Sequence, residues 1–163
     1  MVQDQAGVTD VDRGIISALV GRIHASPCRL VMHITGGGMA AITDLLVVGG
    51  ASRSILEVTV PYSHIALSEI VGTVEVAATS RATALALAEA ALARARSLGA
   101  DADTAIGIGC TAALTTNRAR RGSDHADIVT ASAAGVESAL VEMSDEEGEL
   151  SRSEQDRRVT GAS

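Results

Sequence analysis

The chain has 163 residues, a formal net charge of −7 and 47% hydrophobic residues, so it is long enough for one domain with its own core. It has one tyrosine, no phenylalanine and no tryptophan, and all 13 basic residues are arginine. The lack of lysine excludes Schiff-base and P-loop lysine chemistry. The acidic balance and the near absence of aromatic rings argue against a nucleic-acid partner.

The cysteines and the N-terminus indicate a reducing compartment. Cys28 and Cys110 are too few for a disulfide framework and neither belongs to a CxxC pair, so both are predicted to be free thiols. The first residues are polar and acidic, which does not fit a signal peptide. The apolar stretches are shorter than a membrane span. We therefore expect a soluble cytoplasmic protein with no membrane partner.

Helical and strand patterns alternate along the chain, and two strand patterns close it. The predicted helices cover residues 9–25, 39–47, 63–71 and 79–98, and the predicted strands cover residues 28–34, 53–60, 105–109, 126–132 and 136–143. The last two strands are predicted to form a hairpin at Ala134-Gly135. This order predicts an α/β fold, a three-layer α/β/α sandwich with a mixed sheet of about five strands.

The ends of the chain differ in composition from the middle. We expect residues 1–8 to be a flexible tail and residues 9–143 to form the domain. Residues 144–163 are charged and weakly helical, with almost no apolar stripe. Since a helix needs an apolar face to dock, we expect this tail to be poorly anchored. It also fits a truncated last helix in a domain that belongs to a longer chain with another fused domain.

The turn Thr35-Gly36-Gly37-Gly38 lies between a predicted buried strand and a predicted helix. Ligands of α/β sheets bind at the carboxyl ends of strands, and a helix N-terminus attracts anions. The turn is therefore a candidate phosphate site, although a turn that only needs positive φ explains the glycines equally well. The GxGxxG fingerprint of dinucleotide binding is absent.

A second candidate loop follows the strand that ends at Gly109. Cys110-Thr111 begins this loop, where a thiol at a loop start could have a lowered pKa, although a half-buried structural cysteine is the simpler interpretation. Arg118, Arg120 and Arg121 lie further along the loop and could clamp a phosphate, or could be a solvated basic loop. The histidines His33, His64 and His125 lack HxH or HExxH spacing, so no metal site and no cofactor is predicted.

Four stretches, read in order, resemble the C-terminal domain of competence/damage-inducible protein CinA, the nicotinamide-nucleotide amidase family. They are LVMHITGGGMAAITDLLVVGGAS, ILEVTVPYSHIALSEIVG, TSRATALALAEAALARARSLGADADTAIGIGCTA and the closing hairpin. The resemblance covers roughly residues 9–143. It implies a pocket for a phosphorylated nucleotide and a homo-oligomer.

The departures from the family pattern fall on the catalytic residues. The family's first turn carries a serine nucleophile, and His33 stands at that place. The family's lysine, which follows the Tyr-Ser step, falls at Leu67. A serine nucleophile needs a base to take its proton, and here both are replaced. The resemblance therefore implies a CinA-like domain without the usual amidase activity.

Two alternatives stay open at this point. One is a hydrolase with replaced chemistry, in which His33 is base or nucleophile and Cys110 or Tyr62 assists. The other is a non-catalytic assembly domain. The predicted ligand-binding residues are Thr35, Gly36, Gly37, Gly38, Tyr62, Ser63, Gly109, Cys110, Thr111, Arg118 and Arg121, and the predicted partners are a small phosphorylated nucleotide and further copies of the chain.

Overall fold

A computed structural model describes residues 10–72, 78–114, 123–143 and 151–162. The elements in chain order are α1 (Asp10–Ala25), β1 (Arg29–Thr35), α2 (Met39–Val47), α3 (Ala51–Ser54), β2 (Ile55–Thr59), α4 (His64–Val71), α5 (Arg81–Ser97), β3 (Ala105–Ala113), β4 (Asp124–Ser132), β5 (Gly135–Met143) and α6 (Arg152–Ala162). None of the described helices is both long and apolar enough to span a membrane.

The five strands form one mixed sheet in the order β2-β1-β3-β4-β5. β1 runs parallel to β2 and β3, whereas β4 and β5 are antiparallel to their neighbours. The carboxyl ends of β1, β2 and β3 and the start of β4 therefore lie along one edge of the sheet, which we call the carboxyl edge. The predicted α/β fold with a mixed sheet is confirmed, and the closing hairpin is the β4–β5 pair.

Helix α5 covers one face of the sheet at unusually close range. A Cβ atom added at Gly107 would lie 2.2 Å from the carbonyl oxygen of Ala88, and one added at Gly109 would lie 2.1 Å from that of Ala84. The helix side of this contact consists largely of fully buried alanines. Small residues on both sides allow the close approach, which explains the alanine-rich composition.

Helices α1, α2 and α6 cover the opposite face. Their buried residues Val20, Leu45 and Val159 pack with Met32 and Ile34 of β1 in the main hydrophobic core. The core is aliphatic, as the composition requires, and its two faces give the sheet a helical layer on each side. The predicted three-layer arrangement is therefore the observed one.

Strand β3 is longer than predicted. The sequence pattern ended this strand at Gly109 and placed Cys110-Thr111 in a loop, but β3 continues to Ala113. Every residue from Cys110 to Ala113 is buried and pairs with β4. Small side chains such as alanine have weak strand preference, so tertiary pairing rather than local propensity extends this strand.

The last helix is anchored, contrary to the expectation for the tail. α6 spans Arg152–Ala162, Val159 is fully buried, and Gln155 is only 4% exposed. The amide of Gln155 donates a hydrogen bond to the Asp124 carboxylate at 2.8 Å. The helix docks through a few residues and polar contacts instead of a continuous apolar stripe, so its amphipathicity is weak. Residues 144–150 lie outside the described part of the chain.

Candidate functional site

The Thr35–Gly38 turn is tight and needs its glycines. Gly36 and Gly38 adopt positive φ angles of 85° and 87°. A Cβ added at Gly36 would lie 1.9 Å from the carbonyl oxygen of Ala112 in β3, and one at Gly37 would lie 2.6 Å from the Leu114 side chain. Backbone conformation and packing therefore account for the glycine run without a ligand.

The N-terminus of α2 already holds a carboxylate. The Asp156 side chain accepts hydrogen bonds from the backbone N–H groups of Gly38 at 2.6 Å, Met39 at 3.1 Å and Ala40 at 3.0 Å. In addition, Arg152 donates to the carbonyl oxygen of Gly36 at 2.9 Å. A helix N-terminus favours an anion through its free N–H groups and its dipole. Here the anion comes from α6, so the turn predicted to cradle a phosphate is occupied by the chain itself.

Polar side chains cluster at the carboxyl edge on the side covered by α5. His33, Thr35, Thr111 and Asp127 are all at most 8% exposed. Thr35 pairs with Thr111 across β1–β3, and Thr111 pairs with Asp127 across β3–β4. Directly paired residues project to the same face, so the four side chains share one face. We call this group the edge cluster.

Helix α5 begins above the edge cluster. The Thr111 hydroxyl donates to the carbonyl oxygen of Ser80 at 3.3 Å, and Ser80 is the N-cap residue of α5. Asp127 Oδ2 lies 3.7 Å from His125 Nε2. Hydroxyl, imidazole and carboxylate groups therefore converge at one end of an otherwise apolar interface. Such a set can hydrogen-bond the hydroxyls and ring edges of a small polar molecule.

His33 is the titratable base of the edge cluster. Its Nδ1 atom makes a short hydrogen bond with the Thr59 hydroxyl of β2. Burial lowers the pKa of His33, as does the Arg94 guanidinium, whereas the nearby Glu57 carboxylate and a backbone hydrogen bond oppose the shift. The net shift favours neutral imidazole, which can accept a proton.

The Tyr-Ser step lies between the end of β2 and the start of α4. Tyr62 is 71% exposed. The Ser63 hydroxyl accepts a hydrogen bond from the Ala66 N–H at 3.1 Å and caps α4. Leu67 is buried at 7% exposure. Ser63 thus has a structural role in α4, and Tyr62 is available to a ligand.

Cys110 and Gly109 do not join the edge cluster. Cys110 packs in the main core on the opposite face, and burial, together with the Asp156 and Asp127 carboxylates, raises its pKa to about 12. The sequence suggested a lowered pKa for Cys110, and the shift has the opposite direction. The reason is that Cys110 lies buried inside β3 instead of at the start of a loop. Gly109 faces the backbone of α5 and leaves no room there for a ligand.

Arg118 and Arg121 lie outside the described residues. They fall between Leu114, which follows β3, and Ser123, which precedes β4. The structure also contains a cleft of about 700 Å³ on the opposite face, between α1, α2 and α6. Its lining includes Arg13, Asp44 and Arg157 and none of the predicted site residues.

Three polar residues of the region were not found from the sequence. Thr59 belongs to the predicted strand 53–60, where its alternating pattern gives no sign of a function. Asp127 is a charged residue in a largely apolar strand, and this contrast is a signal from which a functional residue could have been predicted. Asp156 contacts a turn 116 to 118 residues earlier in the chain. No local pattern predicts a contact over that separation.

The fold has several known relatives in structure. No protein-family model and no curated protein matches the sequence. A CinA superfamily protein from Enterobacter cloacae matches with a TM-score of 0.73 at 14% identity, over 99% of this chain and 94% of that one. The chain has the CinA fold. Competence/damage-inducible protein from Agrobacterium tumefaciens matches with a TM-score of 0.72 at 17% identity, over 97% of this chain and 94% of that one. A CinA superfamily protein from Escherichia coli matches with a TM-score of 0.67 at 17% identity, over 99% of this chain and 88% of that one.

The CinA fold confirms the resemblance inferred from the four sequence stretches at the level of architecture. The match extends over nearly the whole chain and includes the docked last helix within its coverage. Identities below a fifth do not carry residue roles from one protein to another. The chemistry of this CinA-like domain has to be argued from its own side chains.

Proposed function

We propose that this domain binds a phosphorylated nucleotide at the carboxyl edge, over the edge cluster, and does not hydrolyse it by the Ser–Lys route of the amidase family. The observation that carries the proposal is the edge cluster itself. Half of the eight buried polar residues in the described part of the chain are His33, Thr35, Thr111 and Asp127. No buried side-chain nitrogen or oxygen among the described residues lacks a hydrogen-bond partner, so the cluster offers a small polar ligand a preformed polar edge and does not need a ligand to be satisfied.

The proposal assigns different parts of the ligand to different groups. Thr35 and Asp127, each 8% exposed, suit the ribose hydroxyls, because hydroxyl and carboxylate oxygens accept from them; Thr111 is fully buried and bonded to Ser80, so it positions the start of α5 instead. Tyr62 is the exposed aromatic ring against which a base can stack. Arg118 and Arg121, which lie outside the described residues between β3 and β4, are assigned by the proposal as the positive charge for the phosphate. The Thr35–Gly38 backbone is not available to the phosphate while Asp156 holds it.

The absence of the amidase route follows from two positions. His33 takes the place of the family's nucleophilic serine and is bonded to Thr59. Leu67 takes the place of the lysine and is packed in the interior, so no ammonium group is present to activate a hydroxyl. Binding without turnover is the consequence.

A hydrolase with replaced residues is the second candidate, and the His33–Thr59 contact favours it. A neutral imidazole next to a hydroxyl has the composition of a base and nucleophile. Cys110 does not support this candidate because it lies on the other face with a raised pKa. A non-catalytic assembly domain is the remaining alternative, and it predicts no nucleotide binding.

A thermal-shift titration tests the binding proposal. A ligand that binds only the folded state raises its stability as its concentration exceeds the dissociation constant. We expect nicotinamide mononucleotide or another nucleoside monophosphate to raise Tm in the unmodified protein. Thr35→Val should remove most of the shift, whereas the matched control Thr104→Val, at the other end of β3, should keep it. No shift with any nucleotide would refute the proposal and favour assembly.

A further inference from the structure

Strand β5 is an open edge of the sheet. It pairs with β4 over its whole length, from Ser132–Gly135 to Asp124–Met143, without a change of register. Its other side has no strand partner among the described residues. Residues 135–140 are exposed in succession, so side chains on both faces of the strand reach the surface. An edge of this kind presents a row of N–H and C=O groups to another strand.

β5 carries few of the features that block edge pairing. It contains no proline, lysine or arginine and no bulge, and its charged side chains are Glu137 and Glu142. Val136 and Leu140 are 53% and 58% exposed and project to the same face, because they are four residues apart in a strand. Monomeric proteins protect long regular edges with charge, proline or irregularity. This strand has the hydrogen-bonding edge and the apolar side chains of an interface.

We propose that β5 pairs antiparallel with β5 of a second copy of this chain, so that two five-stranded sheets become one continuous sheet. The pairing is isologous, with a twofold axis at Ala139. It concerns assembly and goes beyond the nucleotide-binding proposal, which does not depend on it. It also gives the predicted homo-oligomer a defined surface.

The sequence of β5 is complementary to itself in this register. Glu137 lies opposite Val141 of the second copy, and Glu142 lies opposite Val136. Neither glutamate faces another glutamate, so the arrangement avoids direct opposition of like charges. Leu140 lies opposite Ser138, and the two Leu140 side chains are diagonal neighbours across the axis. The apolar row is therefore doubled at the centre of the interface.

A second exposed apolar group lies on α1 and α2. Ile15, Leu19 and Val47 are 63%, 53% and 72% exposed, and Val47 borders the cleft that also contains Arg13 and Asp44. Helix surfaces satisfy their own backbone groups. This face therefore offers side-chain contact alone, whereas β5 also offers a row of backbone hydrogen bonds. The α1–α2 face serves as the matched alternative in the test.

Light scattering after size exclusion, at micromolar concentration, measures the first consequence. We expect a mass of two subunits for the unmodified protein and one subunit for Leu140→Lys, because two like charges would become diagonal neighbours across the axis in place of two apolar side chains. Val47→Lys adds the same charge on the α2 surface and should remain dimeric. A single-subunit mass for the unmodified protein would overturn the proposal. So would a monomer produced by Val47→Lys but not by Leu140→Lys.

Cysteine cross-linking gives a second readout that does not depend on destabilising the dimer. Ala139→Cys in a Cys28→Ser background places two thiols opposite each other at the axis, within reach of a disulfide. We expect a covalent dimer under mild oxidation. Glu69→Cys, on the exposed surface of α4, should stay monomeric on a non-reducing gel. Equal cross-linking of both variants, or none at Ala139→Cys, would contradict the proposed register.

Discussion

Asp156 connects the last helix to the tight turn at the residue scale. Its carboxylate accepts three backbone N–H groups of α2, in the way that a capping side chain does within a helix. Without Asp156, these N–H groups would have no hydrogen-bond acceptor once α6 covers the turn and excludes water from it. The contact shows that the glycine turn and α6 stabilise each other.

Replacing Asp156 should therefore destabilise the protein. We expect Asp156→Ala to lower the free energy of unfolding by about 1–2 kcal/mol, the range for loss of a helix cap, as measured by urea denaturation. The control Asp103→Ala removes an exposed carboxylate in the loop before β3 and should have little effect. Equal stability of Asp156→Ala and the unmodified protein would show that α6 does not hold the turn.

His33 should make stability depend on pH in a defined direction. Burial lowers its pKa below 6.5 in the folded state. The unfolded chain therefore binds a proton near pH 6.5 while the folded protein does not, so folding stability falls as the pH decreases through 6.5 towards the lower folded pKa. Above that window His33 is neutral in both states and contributes no pH dependence.

Denaturant unfolding between pH 7.5 and pH 5 measures this effect. We expect the loss of stability on acidification to be smaller in His33→Gln than in the unmodified protein. His64→Gln, at an exposed position that begins α4, is the matched control and should retain the full loss. A His33→Gln profile parallel to that of the unmodified protein would mean that His33 is not protected from protonation by folding.

The packing of α5 on β3 is the main contact at the scale of elements. Gly107 and Gly109 alternate along β3 and face the backbone of α5. Alanines on the helix complete the contact. Because the backbones of β3 and α5 lie in direct contact here, no flexible side chain can move aside to accommodate an added atom.

Gly109→Ala should thus be strongly destabilising. Its new methyl group would have to displace the α5 backbone at Ala84, and we expect a loss of about 3 kcal/mol in the free energy of unfolding. The same change at Gly21, inside α1 with nothing within 4 Å of the added Cβ, should stabilise by about 0.5–1 kcal/mol. Thermal or urea unfolding of the two variants compares them directly. Similar effects at both positions would contradict the close approach.

Elements with a strong local pattern could be predicted from the sequence. α5 was expected over residues 79–98 and spans Arg81–Ser97, and β1 was expected over 28–34 and spans Arg29–Thr35. The predicted element boundaries differ from the structure where contacts between distant parts of the chain determine the fold. The end of β3 depends on pairing with β4, and α6 docks through Val159 and polar contacts instead of a stripe. α3 and the shorter β2 divide what the pattern assigned to one strand.

At the scale of the whole molecule, the architecture was more predictable than the site. The order of helices and strands predicted the layers and the mixed sheet. The site depends on which side of a strand each residue faces, and one misplaced strand end was enough to assign Cys110 to the wrong surface. His33 lies near the carboxyl end of β1, and its hydrogen-bond partner Thr59 lies on β2, a contact that no local pattern predicts.

We propose a CinA-fold domain whose edge cluster binds a nucleotide without the amidase reaction. A steady-state assay of ammonia release from nicotinamide mononucleotide tests this claim most directly, with the unmodified protein and His33→Ala assayed under conditions where the thermal shift shows binding. We predict no release above the buffer rate from either protein, because the chain has no lysine and carries His33 and Leu67 where the resemblance implies the serine nucleophile and its lysine. Robust release by the unmodified protein that is abolished in His33→Ala would contradict the account and make His33 catalytic.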